Sequence, residues 1–188
     1  LEHQQYLGDS VEAITKEKSG VFRNNQQVIL TENAGYAALL QAAAQIGAQV
    51  SIVKPSETVP PFHPDNIALA KGVITALQTR LPIMPAMLTQ GFNQAFRKGT
   101  QQILMQTPLV LLDGACNPSA VRWLVQSLKQ RWPERRWLAV FSMFADKSMV
   151  ECVSMMNEIV SDWFIAPLDV PRAATPEQLL CRTLCANL

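Results

Sequence analysis

Leu111-Leu112-Asp113-Gly114-Ala115-Cys116-Asn117-Pro118 is the stretch on which the fold turns. Val110, Leu111 and Leu112 form the short apolar run expected of a strand covered on both faces. Asp113 and Gly114 then turn the chain. Asn117 is suited to cap a helix, and Pro118 fits the first helical turn, where its missing N–H costs no intrahelical bond. Such a strand-to-helix crossing predicts Asp113 at the carboxyl edge of an open α/β sheet, where these sheets bind ligands.

Downstream the same alternation continues. A helix is predicted from Pro118 to about Arg131, with Val121, Leu124, Val125 and Leu128 as its buried stripe. Trp137 to Phe141 reads as a strand, and Ser148 to Val160 as a helix whose repeating Met149, Val153, Met156 and Val160 belong to the core. A third strand, Trp163 to Ala166, precedes Thr175-Pro176-Glu177, the start of a last helix. Three strand–helix units in succession predict a parallel sheet with right-handed crossovers, one that looks incomplete where the sequence stops.

Upstream, Asp9 and Glu12 make an acidic variant of a capping box, Val11 and Ile14 are apolar, and Gly20 is the expected C-cap. Lys16 and Lys18 fall in the last turn of this helix, where a cation interacts favourably with the helix dipole. A strand at Gln27 to Thr31, a helix from about Gly35 to Ile46 and a strand from Ala48 to Val53 give a β-α-β rhythm. Prolines 55, 60, 61 and 64 make 54–64 a loop. A helix follows from Asp65 to Leu77, with His63 just before it and Asn66 in its first turn. Pro82 and Pro85 interrupt, another helix runs to about Lys98, and Gly99 divides the chain into residues 1–99 and 100–188.

Sixteen basic residues against fifteen acidic leave a net charge of +1. With no basic run, neither nucleic acid nor an anionic membrane surface is indicated as a partner. No apolar run reaches the roughly 20 residues that cross a bilayer, and no signal or transit peptide is visible. The expectation is a soluble, cytoplasmic protein. Cys116, Cys152, Cys181 and Cys185 contain no C-x-x-C pair, and His3 and His63 are the only histidines, so a structural zinc site is not expected.

Several stretches together resemble bifunctional dihydrofolate synthase/folylpolyglutamate synthase of the Mur ligase superfamily. The family pattern L-D-H-x-x-x-L-G followed by I-x-x-E-K-[AS]-G-[IV]-F is similar to Leu1-Glu2-His3 through Leu7-Gly8 and to Ile14-Thr15-Lys16-Glu17-Lys18-Ser19-Gly20-Val21-Phe22. The family's D-x-A-H-N-P resembles Asp113 through Pro118, its D-K-D loop resembles Asp146-Lys147-Ser148, and its A-P-L-x-x-P-R-x-A segment resembles Ala166 through Ala174. The resemblance implies an α/β fold: the end of a central ATPase domain over 1–99, then a Rossmann-like C-terminal ligase domain over 100–188, both incomplete. It also implies a monomeric, ATP- and Mg2+-dependent ligase that adds L-glutamate to dihydropteroate or folate through an acyl phosphate. His3 would ligate magnesium, as would Lys18 once carbamylated, a reaction of the neutral amine that partial burial favours. Asn66 and Asp113 would meet the nucleotide, and Lys147 the amino-acid substrate.

The departures are as specific as the matches. These 188 residues contain no G-x-x-G-K-[ST] phosphate loop. The family's G-R-F-Q falls on Gly99-Thr100-Gln101-Gln102, so Thr100 stands in place of the arginine expected at ATP phosphate. Cys116 stands in place of a histidine that helps place glutamate, and a thiol offers neither its charge nor its donor geometry. The chain alone is therefore expected to be inactive. A non-catalytic relative that keeps the fold is the alternative these two losses raise.

Overall fold

A computed structural model describes residues 10–32, 36–55 and 62–185. The chain forms two compact units, Leu1–Ala95 and Phe96–Leu188.

In the first unit, helix α1 spans Val11–Ser19. Its cap is Ser10, one residue later than the predicted Asp9, which lies outside the described residues. Ser10 has extended backbone, and its Oγ accepts the Ala13 N–H at 3.1 Å, so the helix starts after it. Gly20 closes the helix as expected. Strand β1 (Gln27–Thr31), helix α2 (Tyr36–Ile46) and strand β2 (Gln49–Val53) form the β-α-β unit. The strands are parallel, in register from Gln27 opposite Gln49 to Thr31 opposite Val53. Phe22, Val28 and Ala43 are the buried core. Helix α3 (Pro64–Leu77) begins at His63, whose Nδ1 accepts the Asp65 N–H at 3.3 Å. It packs closely on the strands at Gly72, where a Cβ would lie 2.7 Å from Ile29 Cγ2 and 2.8 Å from Val53 Cγ1. Helix α4 covers Pro85–Gln94 and stops short of the predicted Lys98. None of its residues is buried, so no packing holds a further turn.

The second unit opens with an antiparallel hairpin, β3 (Gln102–Gln106) and β4 (Leu109–Leu112). The sequence reading did not contain β3, and it placed β4 between two covering layers. Leu111 does pack on the core, but Val110 and Leu112 are 36% and 48% exposed. Successive strand residues face opposite ways, and only one face of β4 packs against the core. Helix α5 (Pro118–Arg131) is capped by Asn117, whose Oδ1 accepts the Ala120 N–H at 2.8 Å. Strand β5 (Trp137–Phe141), helix α6 (Met149–Met156), strand β6 (Val160–Ile165) and helix α7 (Pro176–Cys185) complete the unit. Strands β5 and β6 are parallel, whereas β4 pairs with β3 instead of extending a three-stranded parallel sheet. Helix α6 ends before the predicted Val160, which begins β6: Asn157 to Ile159 turn the chain first. Val121, Leu124, Val125 and Leu128 of α5 meet Met149, Cys152 and Val153 of α6 and Leu179 of α7 in one core. Fully burying such an aliphatic side chain contributes about 1.5–3 kcal/mol.

Candidate functional site

The strand-to-helix turn after β4 is held by its own acid. Asp113 Oδ2 accepts the Gln101 N–H at 2.8 Å, and Oδ1 accepts the Ala115 N–H at 2.7 Å. The Gly114 N–H donates to the Gly99 carbonyl at 2.8 Å, and the Gly99 N–H donates to Gln102 Oε1 at 3.0 Å. Residues 99–102 and 113–115 are thereby joined into one doubly stapled turn. Each carboxylate oxygen keeps a further lone pair, so a half-buried Asp113 can still accept from a ligand.

Gln101 locks this turn. It is buried, at 5% exposure, with φ at +42°, a region non-glycine residues seldom adopt. Its Oε1 accepts from Ser127 Oγ at 2.8 Å and from Arg131 Nη1 at 3.1 Å, both on α5. These bonds hold the unusual conformation that aims the Gln101 amide at Asp113. The sequence reading missed Gln101, Ser127 and Arg131. The available signal was a polar serine inside the apolar stripe of α5.

Thr100 is half-buried, and its N–H closes a turn on the Arg97 carbonyl at 3.1 Å. Cys116 is exposed between the stapled turn and the Asn117 cap. It lies within electrostatic reach of Cys152 on α6, whose thiol is pushed up to about 11, first by burial and then by Glu151 and Cys116. Arg122 Nη2 on α5 lies 3.9 Å from Glu151 Oε1 on α6, so the start of α5 faces α6.

Lys147 sits apart from the stapled turn, on the loop between β5 and α6. Its side chain is mostly buried and lies 3.8 Å from Asp146 Oδ2. It lines a cleft of about 690 Å³ with Arg122, Ser148, Glu151, Ser154 and Gln178. Asp146 also accepts from Arg172 Nη2 at 2.8 Å. That hydrogen bond, foremost among several causes, holds the Asp146 carboxyl below its ordinary range. Thr100, Asp113 and Cys116 do not line this cleft.

In the first unit, Lys18 is in the last turn of α1 and Asn66 in the first turn of α3, both exposed. The partial burial expected of Lys18 is not found, because Thr15 and Ser19 take the inward positions of α1. His3 lies outside the described residues. Among the described residues no three His, Cys, Asp or Glu side chains gather as a metal site. Nor is any of their helices long and apolar enough to cross a membrane.

The model of the Mur ligase glutamate ligase domain matches residues 100–183, the part that contains the stapled turn and the cleft. Those residues belong to the Mur ligase family. The matched residues lie within the second unit, and the likeness extends beyond it. Dihydrofolate synthase/folylpolyglutamate synthase of Escherichia coli is 30% identical over 201 residues, covering 96% of this chain and 47% of that protein. The solved E. coli FolC in complex with DHPP and ADP is similar over 97% of this chain and 49% of its own, with a TM-score of 0.88 and 29% identity. A bifunctional folylpolyglutamate synthase/dihydrofolate synthase with Mn, AMPPNP and L-glutamate bound covers the same shares, with a TM-score of 0.84 and 30% identity. The chain is a partial, diverged relative of these synthases and spans about half their length.

Proposed function

We propose that these residues are part of a cytoplasmic, monomeric ligase that uses ATP to join the amino group of L-glutamate to a carboxylate of dihydropteroate or folate. Residues 1–99 are then the second half of the central ATP-binding domain, and residues 100–188 the C-terminal ligase domain. One observation carries the reading furthest. The two loops that resemble the family's motifs, 99–102 and 113–116, are hydrogen-bonded into a single turn around Asp113. ATP supplies the phosphoryl group that makes a carboxylate reactive towards an amine. On the protein side, the free lone pairs of Asp113 would accept from a ribose hydroxyl, and Asn66 would contact the nucleotide. The Lys147 ammonium would hold a substrate carboxylate, a charge-assisted contact. His3 and a carbamylated Lys18 would be the magnesium ligands. Thr100 brings no charge to a phosphate, and Cys116 places glutamate less well than the imidazole it stands in for.

Incorporation of radiolabelled L-glutamate into dihydropteroate tests the reading, using the gene product that carries these residues, with and without ATP. ATP-dependent incorporation is expected, reduced about tenfold or more by Asp113→Ala. No incorporation into either dihydropteroate or tetrahydrofolate overturns it. The 188-residue chain by itself, which has no phosphate loop, is expected to give no turnover above buffer.

A further inference from the structure

We propose that Arg172 is a positioning residue for Lys147, acting through Asp146. As a role in ligation this rests on the reading above; as a constraint on Lys147 it stands on geometry alone. Arg172 comes from the segment between β6 and α7, which runs back along the β5–α6 loop. The Ala145 N–H donates to the Arg172 carbonyl and the Ala174 N–H to the Met143 carbonyl, each at 3.0 Å. Phe144 and Ala173 form an antiparallel bridge between them. This short strap places the Arg172 guanidinium 4.9 Å from the centre of the Phe144 ring and its Nη2 2.8 Å from Asp146 Oδ2. The same Oδ2 is 3.8 Å from Lys147 Nζ. The Lys147 N–H closes the loop on the Phe144 carbonyl at 3.1 Å.

Three charges therefore lie in a row, and the middle one fixes the outer one that lines the cleft. A lysine carries a point charge on a flexible stem, so its position depends on where a partner is anchored. Asp146 is anchored by Arg172, and Arg172 by Phe144 and the strap. The Arg172–Asp146 pair is largely exposed, and exposed pairs of this kind contribute little to stability. Its consequence is directional: with Arg172 in place, Asp146 presents Oδ2 to Lys147, and the ammonium is held at the wall of the cleft that Ser148 and Gln178 also line.

Reductive methylation of the 188-residue chain with labelled carbon keeps every lysine charged and gives each an NMR signal, the one from Lys147 being assigned by Lys147→Arg. In the unaltered chain that signal is expected away from those of exposed lysines. Arg172→Gln and Asp146→Asn should each move it among them, with the melting temperature shifted by less than about 3 °C. Arg172→Lys should restore it in part. A signal unmoved by both variants overturns the proposal, as does one that moves only when both variants unfold. Titration with L-glutamate separates this from the functional reading. The Lys147 signal should respond, binding should weaken about tenfold in Arg172→Gln, and that substitution should cost nothing further in a Lys147→Met background. A Lys147 signal that never responds to L-glutamate overturns its assignment to the amino-acid substrate, while the methylation readout still decides the constraint.

Discussion

The Gln101 backbone amide donates to Asp113 Oδ2 at 2.8 Å, across the open end of the β3–β4 hairpin. The acid that identifies the motif is thus also the bond that closes it. Asp113→Asn keeps one acceptor oxygen but turns an NH2 towards one of two amide donors. The loss is expected to be about 1–2 kcal/mol, rising to about 2–3 kcal/mol for Asp113→Ala, which strands both donors. Urea unfolding of the chain measures it; midpoints equal to the unaltered protein's refute the staple.

Gln101 is tested by coupling. Gln101→Ala removes the acceptor of Ser127 Oγ, a hydroxyl on a residue with no exposure, and should cost about 1–3 kcal/mol. Ser127→Ala should then cost less in the Gln101→Ala background than alone, by about 0.5–2 kcal/mol. Strict additivity in that cycle means the two side chains do not act together.

The boundaries that could be read from the sequence are those where local pattern and tertiary packing agree. Gln27 to Thr31 and Trp137 to Phe141 are strands bounded by polar turns, and the stripe of α5 repeats at helical spacing until Trp132. Strand β3 escaped because its pairing shifts register between Ile103 and Met105, which breaks the alternation that marks a strand. The predicted α6 ran too far because Val160 continues the apolar repeat by coincidence, while the turn at 157–159 is polar only at Asn157 and Glu158. Within the candidate site, motif order pointed to Asp113. The part played by Gln101 was not readable, since it depends on a positive φ and on partners 26 and 30 residues away. The exposure of Lys18 follows from which face of α1 turns inward, a choice settled by Thr15 and Ser19 rather than by any apolar stripe.

Two glycines should respond oppositely to the same substitution. At Gly72 a Cβ would press on Ile29 and Val53 inside the first unit, so Gly72→Ala should destabilise by about 1–3 kcal/mol. At Gly91, within α4, a Cβ would meet nothing within 4 Å beyond its chain neighbours and the helix's own backbone. Gly91→Ala should stabilise by up to about 1 kcal/mol through helix propensity alone. Thermal unfolding of the two variants side by side checks both; a neutral Gly72→Ala means α3 can move off the strands.

Cys116 and Cys152 should differ in reactivity by orders of magnitude at neutral pH. The nucleophile is the thiolate, so labelling requires both access and ionisation. Cys116 is exposed on the site turn, whereas Cys152 is buried in the core with its thiol pushed up to about 11. Iodoacetamide at pH 8 should modify Cys116 within minutes and leave Cys152 intact. Between pH 8 and pH 10 labelling of Cys152 should rise with pH yet stay far slower than that of Cys116. The linkage has a definite sign, because the fold favours the neutral thiol. The stability this adds is fully present below the ordinary cysteine value of 9.0 and is lost as pH rises through about 11. Mass spectrometry of the digested protein after short pulses at pH 8, 9 and 10 reads each cysteine separately. Equal labelling of the two at pH 8 contradicts the burial of Cys152 in the core that α5 and α6 share.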